Sequence, residues 1–163
     1  MNKEQIKLIR QFKHPLLLSL FFARSLPMAW FAGLRVEALH LSHCRVRVQQ
    51  RWTNKNPFGS IYFAVLAMAA ELSTGAFVFL HLRGRSERIP FIVTQVSAEF
   101  FKKAKGAIRF SCTEQKELER ALADVTRAPE NSQIPVSLRA VGHDSSGDVI
   151  ASFVFEWSFK RKL

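Results

Sequence analysis

Cysteine, glycine, proline, tyrosine and acidic residues are all scarce in this sequence. Of its 163 residues, 2 are Cys, 7 Gly, 6 Pro and 1 Tyr. Cys44 and Cys112 lie far apart and fit no ligand spacing, so neither a disulfide framework nor a zinc site is indicated; a reducing compartment is permitted, and both are expected as small core residues. So little glycine and proline excludes a collagen-like repeat and a low-complexity linker. Asp and Glu total 13 against 24 Lys and Arg, and the resulting net charge of +11 attracts phosphates, anionic lipid or anionic metabolites without choosing among them. The apolar stretch from Pro15 to Ala23 is cut by Arg24 and Pro27, short of the ~20 residues needed to cross a bilayer. It is not followed by a small-residue cleavage site, so the chain reads as cytoplasmic.

What is present is apolar. Hydrophobic residues make up 48% against 23% charged, which implies a folded chain, and its length suits one core. We therefore read a single domain over residues 1–163, with a helical extension at 1–33 and a core at 34–163. The extension breaks at Pro15 and Pro27, because a proline disfavours helical geometry in the residue before it. From Leu34 the period changes to two: Val36, Leu39, Leu41, Cys44, Val46 and Val48 predict a hairpin of half-buried strands. Thr53 to Gly59 is turn chemistry. Ser60 is the expected cap of a helix that is apolar on nearly every side through Leu72, with Gly75 as its expected stop. Strands are predicted at 76–82, 90–101, 106–112, 134–141 and 149–159, with a surface helix over 114–125. Strands, one all-apolar helix and more antiparallel strands imply an α+β sheet curled around a central helix.

The residues Asn56 to Tyr62 (NPFGSIY), Phe63 to Ala70, and Glu71 to Gly75 (ELSTG) resemble the acyl-CoA thioesterase branch of the hotdog fold. The likeness is to the phenylacetate-pathway type, and within it to a group known only as a domain of unknown function. It covers roughly residues 34–159. Members carry an asparagine, then His-Gly-Gly opening the helix, then an acid within it. Asn56 matches the asparagine, Tyr62 stands at the histidine and Glu71 falls at the acid. Where the family has His-Gly-Gly, this chain has Tyr62, Phe63 and Ala64. The glycine lets a backbone N–H approach the thioester carbonyl; Phe63 keeps the N–H but adds a ring that can fill acyl or pantetheine space.

The resemblance implies a hotdog fold, a curved antiparallel sheet wrapped around one apolar helix, and a homodimer. It also implies hydrolysis of an acyl-CoA or acyl-carrier thioester without cofactor or metal. Glu71 would activate water and Asn56 would orient it. The backbone of Tyr62 and Phe63 would donate to the oxyanion, with Gly59 and Thr74 beside the substrate. The alternative is a non-catalytic binder of acyl-CoA or fatty acyl groups, with peripheral membrane contact through the basic N-terminal helices.

Glu71 also stands out on its own terms. It is the only Asp, Glu, Lys or Arg between Asn56 and Leu82, and desolvation in such a helix would raise its pKa toward that of a useful base. Two structural readings remain open beside this one: that it points out at the C-terminal end of the helix, or that a Lys or Arg from a strand ties it down. The neighbours His143, Asp144 and Ser145 cannot aim at one another from a turn as a triad must. Arg45, Arg47 and Arg51, or Lys102, Lys103 and Lys105, could hold phosphates or be solvated surface. Phe153, Phe155 and Trp157 fall on the core face of the last strand, which argues against nucleic acid as the partner.

Overall fold

The computed structural model describes residues 1–161. Three helices open the chain: α1 (Lys3–Lys13), α2 (Pro15–Ser25) and α3 (Pro27–Ala32). The breaks fall at the two prolines, each of which begins the next helix, where its missing N–H leaves no bond unmade. Asn2 and Gln5 close a capping box on α1, at 2.8 and 2.9 Å.

The sheet has six antiparallel strands: β1 (Arg35–Leu39), β2 (Cys44–Gln49), β3 (Phe91–Phe100), β4 (Ala107–Cys112), β5 (Gln133–His143) and β6 (Val149–Lys160). Their spatial order is β1-β2-β4-β5-β6-β3, so β1 and β3 are edges. The predicted alternation is real: Cys44, Val46 and Val48 are buried, while Arg45 is exposed and Arg47 half-buried. Cys44 and Cys112 face each other across β2 and β4 as free, buried thiols, and burial pushes Cys112 up to about 12. Helix α4 (Phe63–Leu82) lies in the concave face, and α5 (Gln115–Arg127) packs on β5 through Leu118, Ala121, Leu122 and Val125. By length and composition alone α4 could cross a membrane, yet it is the core helix around which the sheet curls.

Three expectations fail here. Residues 76–82 form the last two turns of α4 and not a strand, and Gly75 lies inside the helix and does not end it. A run such as Ala76 to Leu82 has no polar side to set a period, so pattern cannot separate buried helix from buried strand. A helical glycine costs about 1 kcal/mol relative to alanine. Burial of Phe77, Val78 and Leu80 outweighs that several-fold, at roughly 1.5–3 kcal/mol each. Ser60 does not cap the helix either; Tyr62 holds that position, with no side-chain bond to the first turn.

The extended helix buries His81 near its end. The imidazole Nδ1 lies 2.9 Å from the Phe77 carbonyl and donates to it, which leaves Nε2 buried without a partner among the described residues. Burial lowers its pKa below 6.5 and outweighs the carbonyls of Phe77 and Leu41 and the Glu119 charge, which act upward; Arg85 acts with it. In the unfolded chain the same ring binds a proton more readily. The stability gained by keeping it neutral is therefore complete above 6.5 and is lost as pH falls below that value. Thermal melts should show Tm declining on that acidic side. His81→Gln, which cannot titrate, should flatten the slope; an unchanged slope would show that the dependence lies elsewhere.

Candidate active site

Because α4 continues past Gly75, Glu71 is not at a helix end. It sits mid-helix, on the one stripe of α4 that is not fully buried: Ala64, Ala67, Met68, Glu71, Gly75 and Phe79, spaced by three and four. That stripe runs beside β6 and the edge strand β3. Near one end the Phe63 ring meets Phe100 edge-on at 6.4 Å. Further along, a Cβ on Gly75 would come within 3.3 Å of the Trp157 ring. Between these points α4 and β3 scarcely pack.

The face β3 turns toward this gap follows from its register. Val93, Val96, Ala98 and Phe100 pair with Trp157, Phe155, Phe153 and Ala151, all core-facing residues of β6. Yet Val96 is 54% exposed and Phe100 51%. An apolar trough therefore opens between α4 and the inner face of β3 from Val96 to Phe100, bordered by an edge strand whose far side has no partner among the described residues.

Glu71 belongs to the half-buried stripe of α4 that borders this trough. Its Oε1 lies 3.0 Å from where a Gly75 Cβ would stand, so a methyl group there would crowd the carboxylate and shift it. No ion pair among the described residues involves Glu71, so the strand cation that could have tied it down is not found. Burial holds its carboxyl above the ordinary glutamate value.

The other expected site residues take varied places. Thr74 is fully buried; its hydroxyl donates to the Glu71 carbonyl at 3.0 Å and accepts from the Trp157 indole at 3.2 Å. It thereby fixes the ring that walls Glu71. The Asn56 Oδ1 accepts from the N–H groups of Phe58 and Ser60, at 3.0 and 3.2 Å, while its Nδ2 lies 3.1 Å from the Ser60 hydroxyl. This is an Asx-type turn, in which the side chain is engaged by its own loop. Gly59 supplies the loop's left-handed residue at φ 73°.

Tyr62 corrects an expectation. Its N–H donates to the Asn54 carbonyl at 2.8 Å and is not free for an oxyanion. The N–H groups of Phe63 and Ala64 begin α4 without an acceptor among the described residues, and they carry the positive end of the helix.

Asn54, two residues from the asparagine singled out above, organises the approach to the helix. Its buried Nδ2 donates to the carbonyls of Gln49 and Ala32, at 2.9 and 3.1 Å, and its Oδ1 accepts from the Arg51 N–H at 2.8 Å. Composition offers no signal separating Asn54 from Asn56; only the chain's path does. Of the cationic clusters, Lys102 is held by Asp148 and Asp144, at 2.6 and 3.3 Å, and Arg45 bonds the Ser111 hydroxyl at 3.3 Å.

An antiparallel sheet curled over one apolar helix, with a lone acid on that helix, defines a hotdog-fold protein. The chain belongs to the family described as Domain of unknown function (DUF4442), whose model matches residues 15–158. Among solved structures it is similar to a Pseudomonas aeruginosa protein of unknown function named a probable thioesterase. That match has 24% identity over 91% of this chain and 97% of that one, with TM-score 0.76. A Chlorobaculum tepidum protein of unknown function matches at 18% identity, covering 91% and 97%, with TM-score 0.73. A Haemophilus influenzae thioesterase matches at 12% identity, covering 90% of each chain, with TM-score 0.67. These likenesses bear on the fold. No curated protein matches the chain significantly.

Proposed function

We propose that the protein is a cytoplasmic, homodimeric thioesterase that hydrolyses an acyl-CoA or acyl-carrier thioester by means of Glu71. The observation that carries this reading is a carboxylate without a cation among the described residues, desolvated on the half-buried stripe of an apolar helix and thus raised in pKa in the direction a general base needs. Glu71 takes a proton from water as the oxygen attacks the thioester carbonyl. The N–H groups of Phe63 and Ala64 stabilise the developing oxyanion. Collapse of the intermediate breaks the C–S bond, and the thiolate recovers the proton from Glu71, giving acid and thiol. Thioesterase names among its structural neighbours support the same class.

Distance supports the dimer. Phe63 and Glu71 are eight residues apart on one helix, about 12 Å along its axis, so a single thioester carbonyl cannot meet both in one protomer. A second copy seated on the trough would bring its helix start to the first copy's Glu71. It would also cover Val96 and Phe100 and pair the bare edge of β3.

One observation favours the second reading, a non-catalytic acyl binder. Tyr62 and Phe63 pack edge-on at 5.0 Å, and with Phe100 they place an aromatic cluster at the helix opening. A panel of acyl-CoA substrates, followed by appearance of free thiol, tests the proposal. Turnover supports it, whereas no turnover together with intact acyl-CoA carried through purification would replace it with the binder. Gly75→Ala should lower turnover by displacing the Glu71 carboxyl. Its Tm should change little, because the helical gain of about 1 kcal/mol offsets the new crowding. Unchanged turnover would mean the position of Oε1 is not critical.

A further inference from the structure

Helix α2 is apolar on nearly every side, yet it buries only Leu18 and Phe22. Leu16 is 75% exposed and Leu20 68%, and Leu17, Met28, Trp30 and Phe31 are also in water. These six exposed apolar residues, within sixteen positions, form a crest on the outside of the extension. The crest is held in shape, because the Trp30 indole donates to the Ser19 hydroxyl at 3.0 Å and so locks α3 against α2.

Its surroundings carry one sign of charge. On one flank a hollow of about 640 Å³, floored by Leu17, Leu20 and Phe21, is rimmed by Lys7, Arg10 and Arg24. On the other, a groove of about 970 Å³ beside Leu16, Trp30 and Trp52 is rimmed by Lys13, Arg35, Arg47 and Arg51. Among the described residues the only carboxylate lining either is Glu37, and Arg47 and Arg109 hold it at 3.8 and 2.9 Å. Arg35, Arg47 and Arg109 stand directly opposite one another across β1, β2 and β4. Like charges so placed destabilise a sheet; Glu37 offsets part of that repulsion, and an anionic surface above the row would offset more.

We propose that the α2–α3 crest docks on the surface of an anionic lipid bilayer. The crest would sink to the boundary between headgroups and acyl chains while both cationic rims meet lipid phosphates. At 11 residues α2 is about 16 Å long, too short to span the ~30 Å hydrocarbon core, so it lies in the interface. The rims choose the lipid over other occupants. An apolar crest alone suits many partners, but one with cations on both flanks and no free acid suits a surface that is greasy at depth and negative at its face. A second copy of this chain would bring a second set of like charges. The inference does not depend on Glu71.

Sedimentation with vesicles tests it. Purified protein should bind vesicles of phosphatidylcholine plus phosphatidylglycerol at least tenfold more tightly than vesicles of phosphatidylcholine alone, and added salt should weaken that binding. The double variant Leu16→Glu/Leu20→Glu places charges at exposed positions, so it should keep its fold by circular dichroism and lose vesicle binding by tenfold or more. Ile92→Glu, at an exposed apolar residue of β3, the sheet edge opposite β1, should bind like the parent. Turnover of a short-chain, water-soluble acyl-CoA should be the same in the double variant and the parent, which separates this test from that of the catalytic reading. Equal binding to both vesicle types, or unaltered binding by the double variant, overturns the proposal. Loss of an oligomer in the double variant without any vesicle binding overturns it in favour of self-association.

Discussion

Glu71→Gln should reduce acyl-CoA hydrolysis about 10²–10⁴-fold, the range a positioned general base contributes, and should not destabilise the protein. The second half is the more discriminating. A structural carboxylate is held by cations or hydrogen bonds, and removing its charge costs stability. Glu71 has no ion-pair partner among the described residues, and its folded pKa is raised by desolvation. A raised carboxylate favours the folded state fully only below its unfolded value of 4.5, and that contribution is lost as pH rises through the folded pKa. The neutral amide escapes this loss. The Tm of Glu71→Gln should therefore equal or exceed that of the parent at neutral pH, with the difference shrinking as both are taken toward acid. The parent's rate should also rise with pH along a limb displaced above the ordinary glutamate range. Equal rates in the two proteins, or a Tm that drops in the variant at neutral pH, would remove Glu71 from the mechanism.

Val96→Asp should convert a dimer to a monomer and abolish turnover together. In a lone protomer Val96 is exposed in the middle of an edge strand, where substitutions usually shift stability by no more than about 0.5 kcal/mol. In the proposed dimer the same position lies under the second copy, and an unpaired buried charge there costs about 3–5 kcal/mol. That corresponds to roughly 10²–10³-fold or more in dissociation constant. Size-exclusion chromatography with light scattering reads the mass, circular dichroism the fold, and thiol release the activity. A monomeric variant with full activity would show that one protomer holds the whole site, against the 12 Å separation between Phe63 and Glu71. A variant that stays dimeric would place the interface elsewhere.

Much of the architecture was legible in the chain because local rules and tertiary demands agree there. The breaks at Pro15 and Pro27, the alternation through Cys44, Val46 and Val48, the amphipathic α5 and the core face of β6 each follow from one side chain or one period. The lone acid of an apolar helix was equally visible. Residues 76–82 were not, because an unbroken apolar run has no period and Gly75 looks like a stop wherever it occurs. What lies against it is a carboxylate four residues back and a tryptophan over eighty residues away. The two asparagines divide the same way. Asn56 closes a local turn that its own loop explains, while buried Asn54 draws its partners from the end of β2 and from the extension.

Taken alone, the order of residues determined a sheet curled on one helix and a carboxylate on that helix, since burial pattern and charge scarcity are properties of the chain itself. Three-dimensional packing decided the rest: that Glu71 sits mid-helix with Gly75 giving it room, that the Tyr62 N–H is engaged while those of Phe63 and Ala64 are not, and that the inner face of β3 is bare. Each of these depends on which distant segment comes to lie beside a residue. No local period encodes that, because the same apolar side chain serves equally well under a helix, under a second copy or against lipid.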